Sequence, residues 1–119
     1  MTFIKSIKYY NDYKHYHKGE FIFREGDPGD VMYAVVEGEV EIIVNGSLIN
    51  IVRPGEVLGE MALIDKKPRS ATAVAFSDCK LVVIDEQRFN FLIQQTPLFV
   101  TQIMKVMSDR LRTMDKESV

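Results

Sequence analysis

The 119-residue chain has one cysteine, Cys79. A lone thiol excludes an internal disulfide, a cysteine-ligated zinc site and a cysteine-held iron–sulfur cluster. Its neighbours Ser77, Asp78 and Lys80 read as a turn entering a strand, so Cys79 is expected to be a small structural residue. Histidine is scarce as well. His15 and His17 sit two apart on one strand face with no third ligand nearby, and are expected at the surface rather than around a metal. Basic excess is missing: fifteen Lys and Arg against seventeen Asp and Glu give a formal charge of -2. A phosphate-backbone binder normally carries the opposite balance, so no direct nucleic-acid partner is expected. Long apolar runs are missing too, the N-terminus mixes Lys5, Lys8 and Asp12 into its apolar residues, and no cleavable signal is visible. The expectation is a soluble, cytoplasmic chain with no membrane partner. No nucleophile, base or metal constellation is present, which argues against an enzyme, catalytic residues or a cofactor.

What remains is an ordinary globular composition, with 46% hydrophobic and 27% charged residues, enough for a core in a single domain spanning 1–119. All seven glycines fall between apolar segments and none inside one, as in a chain of short strands and tight turns. Gly19 opens Phe21-Ile22-Phe23, and Gly26-Asp27-Pro28-Gly29 closes it with dense turn chemistry. Segments Val31 to Val36 and Val40 to Val44 flank Glu37-Gly38-Glu39. Asn45-Gly46 predicts a type I′ hairpin between Ile42-Ile43-Val44 and Leu48-Ile49. Arg53-Pro54-Gly55 ends the next strand, and Ala71 to Ala75 and Lys80 to Ile84 resume β character. Turn spacings near eight to ten residues predict a mainly β fold, an antiparallel jelly-roll (double-stranded β-helix) barrel over 15–85.

Helices are expected only at the ends. Phe3, Ile4, Ile7 and Tyr10 predict a short N-terminal helix within 1–14, and 86–119 should hold two C-terminal helices. Asp85 can cap the first, from about Glu86 to Gln95, and Thr96-Pro97 can start the second. The second carries Val100, Ile103, Met107, Leu111 and Met114 as one stripe, widened by Phe99, Met104 and Val106. The surplus apolar surface fits either a second contact, such as a partner helix in a homodimer, or broader packing on this domain alone.

The strand pattern breaks over 57–72, where Gly59-Glu60-Met61-Ala62-Leu63 precedes Asp65-Lys66-Lys67 and Pro68-Arg69-Ser70-Ala71-Thr72. A glycine ahead of a helical turn lets backbone N–H groups approach a phosphate. Arg69 can give two phosphate oxygens a forked pair of hydrogen bonds, geometry that lysine cannot offer. Glu60 accepts only, so it suits a ribose hydroxyl and would repel a phosphate. A nucleotide with a 2′-hydroxyl and one negative phosphate satisfies both; a surface salt bridge between Glu60 and Arg69 is the plainer alternative.

These segments resemble the cyclic nucleotide-binding domain of catabolite activator proteins, kinase regulatory subunits and gated channels, from roughly Tyr16 to Arg112. The front half carries the resemblance in Lys18-Gly19, Ile22-Phe23, Glu25-Gly26-Asp27, Asp30, Met32-Tyr33, Val35 and Gly38. The second half resembles the family's phosphate-binding cassette in Gly59-Glu60-Met61-Ala62-Leu63 with Pro68-Arg69-Ser70-Ala71-Thr72. The resemblance implies that Arg69 binds the cyclic phosphate and Glu60 the ribose 2′-hydroxyl. Backbone groups around Gly59, Met61 and Ala62 and the Ser70 hydroxyl would complete the cradle. It also implies a cAMP-responsive regulatory module that relays binding through its C-terminal helices to an effector the sequence does not identify. Met114 or a neighbour would serve as an apolar lid over the base. Catabolite activators continue into a DNA-binding domain where this chain ends, and Met1 with the character of its start favours a free-standing module over a fragment. No polar pair near Met114 is evident to read the adenine edge, and the Ser70 hydroxyl keeps cGMP in play. A barrel of this kind that has lost its ligand and serves as an interaction domain is the alternative, opposed by the presence of both Glu60 and Arg69.

Overall fold

The computed structural model describes residues 13–95 and 97–118. Its strands are β1 (Tyr13–Tyr16), β2 (Phe21–Phe23), β3 (Met32–Glu37), β4 (Val40–Val44), β5 (Ser47–Val52), β6 (Val57–Leu58), β7 (Thr72–Ala75) and β8 (Cys79–Ile84). The helices are α1 (Met61–Ile64), between β6 and β7, and α2 (Glu86–Gln95) and α3 (Pro97–Ser118), which follow β8. Two four-stranded antiparallel sheets, ordered β1-β8-β3-β6 and β2-β7-β4-β5, face each other as the expected jelly roll. The Asn45-Gly46 turn joins β4 to β5 with φ of 51° and 80° at its central residues, the pair of positive angles a type I′ turn needs.

The apolar runs of β3 and β8 are continuous because both strands are covered on both faces. Tyr33, Val35, Cys79 and Leu81 point into the barrel, where they meet Val40, Ile42, Val52, Leu58 and Ala73. Met32, Ala34, Val82 and Ile84 point the other way, into a second core closed by Leu63, Leu92, Phe99 and Ile103. The sheet containing β2 and β5 has no such cover, and Phe21 and Leu48 stay exposed. Cys79 is buried, its thiol bonded to the carbonyls of Ser77 and Glu39.

Helix α2 starts where the sequence predicts, with the Asp85 carboxylate accepting from the Arg88 N–H at 2.8 Å. The second core locks α2 to α3 through an edge-to-face contact of Phe89 and Phe99, centroids 5.7 Å apart. The face α3 turns to the barrel is narrower than its apolar content: Phe99 and Ile103 are buried, Val106 and Met107 half-buried, and Leu98 and Met104 exposed. Tyr13 and Lys14 differ from expectation. They lie in β1, opposite Val82 and Leu81, because the Tyr13 ring fits a half-buried pleated surface against the second core. The rest of the expected N-terminal helix and the Thr96 cap fall outside the described residues. Among the described residues no helix is long and apolar enough to cross a membrane.

Candidate functional site

Between β6 and β7 the chain leaves the sheet, makes the single turn α1 and returns through Pro68 and Arg69. The departure is set by Gly59, whose φ of +76° would strain any residue with a side chain. Glu60 follows in helical conformation at the N-cap position of α1 without a side-chain capping bond, and its side chain is fully buried. The return is fixed by backbone: the Arg69 N–H donates to the Asp27 carbonyl and the Gly26 N–H to the Arg69 carbonyl, each at 2.8 Å. The Gly26-Asp27 turn thus holds the Arg69 main chain from both sides. That turn is itself closed by the Arg24 N–H on the Asp27 carboxylate at 3.0 Å.

Arg69 is 8% exposed, and its side chain runs inward. One terminal nitrogen donates to the Gly59 carbonyl at 3.1 Å, the other to the Val31 carbonyl at 2.8 Å. Its guanidinium carbon lies 4.2 Å from the centroid of the Phe23 ring. Burial draws the guanidinium below its ordinary pKa, and the surroundings of Tyr33, Asp30, Asp27 and Glu60 pull it back up. It remains a cation at any physiological pH.

Beside it lies a narrow cleft, open to solvent, between the irregular segment and the barrel. Gly59, Met61, Ala62, Arg69 and Ser70 line it, and Phe23, Ile42, Pro68 and Ala71 complete the wall. Five of the six residues singled out in the cassette therefore share one cleft. The sixth, Glu60, sits buried between Gly59 and Met61 rather than on the lining. Glu60 and Arg69 are not the solvated surface pair of the plainer alternative, since neither is exposed. The Ala62 N–H, expected to face a ligand, is directed to the Gly59 carbonyl at 3.3 Å. The side chain of Met114 falls outside the described residues. His15 and His17 are exposed, and among the described residues no group of three or more His, Cys, Asp or Glu is placed to hold a metal ion.

The sequence did not single out the aromatic and aliphatic wall, nor the Val31 carbonyl. Phe23 and Ile42 read only as strand residues, and a carbonyl has no signature in a sequence. The site also has a connection to the helices. Leu63, on α1, packs in the second core with Leu92, Phe99 and Ile103, and Lys66 bonds Glu86 on α2 at 2.9 Å.

The architecture is that of a two-sheet jelly roll with a buried arginine beside a cleft at a strand break. The chain belongs to the family described as the cyclic nucleotide-binding domain, which matches residues 13–96. It is 35% identical over 107 residues to the cyclic AMP receptor protein of Thermus thermophilus, covering 86% of this chain and 50% of that one. It is 40% identical over 76 residues to the cAMP-dependent protein kinase regulatory subunit of Eremothecium gossypii, covering 64% of this chain and 17% of that one. Among solved structures it is similar to the crystal structure of the Thermus thermophilus catabolite activator protein, with a TM-score of 0.79 and 32% identity over 97% of this chain and 56% of that one. The chain thus spans about half or less of the length of these relatives.

Proposed function

We propose that this domain binds cyclic AMP in the cleft beside Arg69 and acts as a sensor rather than a catalyst. The observation that carries the reading is the burial of the Arg69 cation at the edge of an otherwise apolar cleft. The carboxylates of Asp30, Asp27 and Glu60 offset part of the cost of that burial, and a single cyclic phosphate would add a negative charge on the cleft side. Arg69 has five N–H donors, of which two are engaged by the Gly59 and Val31 carbonyls, so donors remain for phosphate oxygens. Glu60 is assigned the ribose 2′-hydroxyl, as an acceptor next to the cleft, and the Ser70 hydroxyl and the main chain of Gly59, Met61 and Ala62 are assigned the rest of the cradle. The base falls against Ile42 and Ala71, leaving the Phe23 ring to the guanidinium. The choice of cyclic AMP over cyclic GMP follows the cyclic AMP receptor protein and the cAMP-dependent protein kinase regulatory subunit among its relatives.

The output runs through the helices. Drawing α1 toward the phosphate moves Leu63, and Leu63 is shared with Phe99 on α3, so the ligand binds one helix arrangement better than the other. The exposed Leu98 and Met104 support α3 as the surface that meets an effector or a second copy of the chain. The lid over the base is assigned to Met114.

Thermal unfolding with a series of nucleotides tests the reading, because a ligand that prefers the native state raises its midpoint. Cyclic AMP should give the largest shift, 2′-deoxy-cyclic AMP and cyclic GMP smaller ones, and 5′-AMP the least. The loss from Glu60→Ala should shrink for the 2′-deoxy ligand, which lacks the donor. A midpoint indifferent to both cyclic nucleotides would overturn the proposal.

A further inference from the structure

The position of the Arg69 guanidinium is decided by residues far from it in sequence. Gly29 is the first. A methyl group there would come within 2.5 Å of Nε and 2.6 Å of the guanidinium carbon, so the guanidinium occupies the space that a side chain at 29 would need. Gly29 does not adopt the left-handed backbone of the six positive-φ glycines, so conformation does not demand glycine here. Space does. Gly59 leaves room on another side, where a methyl group would meet Nη1 at 2.7 Å. Phe23 is the second determinant. Its ring lies under the guanidinium, and Tyr33, stacked beside it with centroids 6.2 Å apart and planes at 28°, lies 5.9 Å from the guanidinium carbon. Tyr33 is itself buried in the barrel core, so the Phe23 ring is held from the side by a ring that the core fixes.

We infer that Gly29 and Phe23 are positioning residues for the Arg69 guanidinium: Gly29 leaves the empty volume into which it fits, and Phe23 is the platform that sets its plane. The inference rests on the assignment of Arg69 to the cyclic phosphate. Its physical content is that both residues act through Arg69 and make no demand of their own on the ligand. An arginine that forks to two phosphate oxygens must be held in plane as well as in place, and side-chain freedom lost beforehand is not lost again on binding. With its Cβ at position 29, alanine would drive the head group off the Phe23 ring or off the Val31 and Gly59 carbonyls. Phe23→Leu keeps an apolar side chain of similar reach and removes the π face.

The test uses the full chain and its variants Gly29→Ala, Phe23→Leu, Arg69→Ala and the double variant Gly29→Ala/Arg69→Ala. Cyclic AMP affinity is measured by calorimetry and unfolding by heat. Gly29→Ala and Phe23→Leu should each weaken cyclic AMP by about tenfold or more, a loss of about 1.4 kcal/mol for each factor of ten. Gly29→Ala should lower the unfolding midpoint when Arg69 is present and not when Arg69 is alanine, a coupling that a general structural defect at 29 would not produce. Wild-type affinity in both variants, or an unfolding cost at 29 that is the same with and without Arg69, overturns the inference. If the unaltered chain takes no cyclic AMP, the ligand assignment has failed, and the seat then stands or falls on the unfolding coupling alone.

Discussion

Arg69 and Leu63 belong to the same irregular segment, yet they are held in opposite ways. Arg69 is fixed by directional contacts. Its main chain is bonded on both sides to the Gly26-Asp27 turn, and its head group is bonded to two carbonyls and stacked on a ring. Leu63 is held by apolar packing against Leu92, Phe99 and Ile103, with the exposed Lys66–Glu86 pair nearby. Hydrogen bonds specify one geometry, whereas apolar contacts are non-directional and tolerate sliding as long as area stays buried. Under the proposed relay, the segment would combine a fixed end with a sliding one, so that occupancy of the cleft displaces a helix.

The comparison is broken most directly at its rigid end. Arg69→Ala should weaken cyclic AMP by about 2 to 5 kcal/mol, since the buried phosphate loses its charged partner. Calorimetry showing unchanged affinity would remove Arg69 from the binding machinery. At the mobile end, Leu63→Ala should cost about 2 to 3 kcal/mol of stability in urea unfolding, the lower part of the range for a buried leucine, because a sliding contact can partly collapse around the cavity. Its cyclic AMP affinity should change by less than about tenfold, or 1.4 kcal/mol. A larger loss of affinity than Arg69→Ala shows would invert the assignment of the two ends. The smallest effect is expected at Lys66, whose pair with Glu86 leaves both side chains more than half exposed. Lys66→Ala should cost less than about 1 kcal/mol of stability, and the difference from wild type should disappear in high salt.

The rigid and mobile ends also differ in how far the sequence discloses them. Glu60, Arg69 and their spacing are side-chain chemistry, and side-chain chemistry is written in the sequence. The seat of Arg69 is not, because Val31 contributes a carbonyl from 38 residues upstream and Gly29 contributes an absence of atoms. Glycine in Gly26-Asp27-Pro28-Gly29 reads as turn chemistry, which is the reason for Gly26, with φ of +87°, and not for Gly29. Most strands were legible from β-rich runs between turn residues, though β6 at Val57–Leu58 lay inside the segment read as a break, and the Asp85 cap of α2 was legible from its side chain. Helix α1 was legible only as a break, since four residues are too few to show a period. The stripe on α3 predicted which helix would be amphipathic and left open whether Met104, which is 65% exposed, packs on this domain or serves a second contact. Periodicity gives a face, and only packing shows how much of it the barrel can cover.

Strand β3 carries a consequence of its own. Tyr33 and Val35 line the barrel, while Met32 and Ala34 lie under the helices. The partition between the barrel core and the helical core is therefore a single peptide layer. Enlarging Ala34 would press on the core it shares with Phe99 across one face while the backbone it shifts also carries Tyr33, the ring beside Phe23 and 5.9 Å from the guanidinium carbon. A substitution aimed at the helices alone would then be felt at the arginine, so this strand should tolerate less variation than any loop around it.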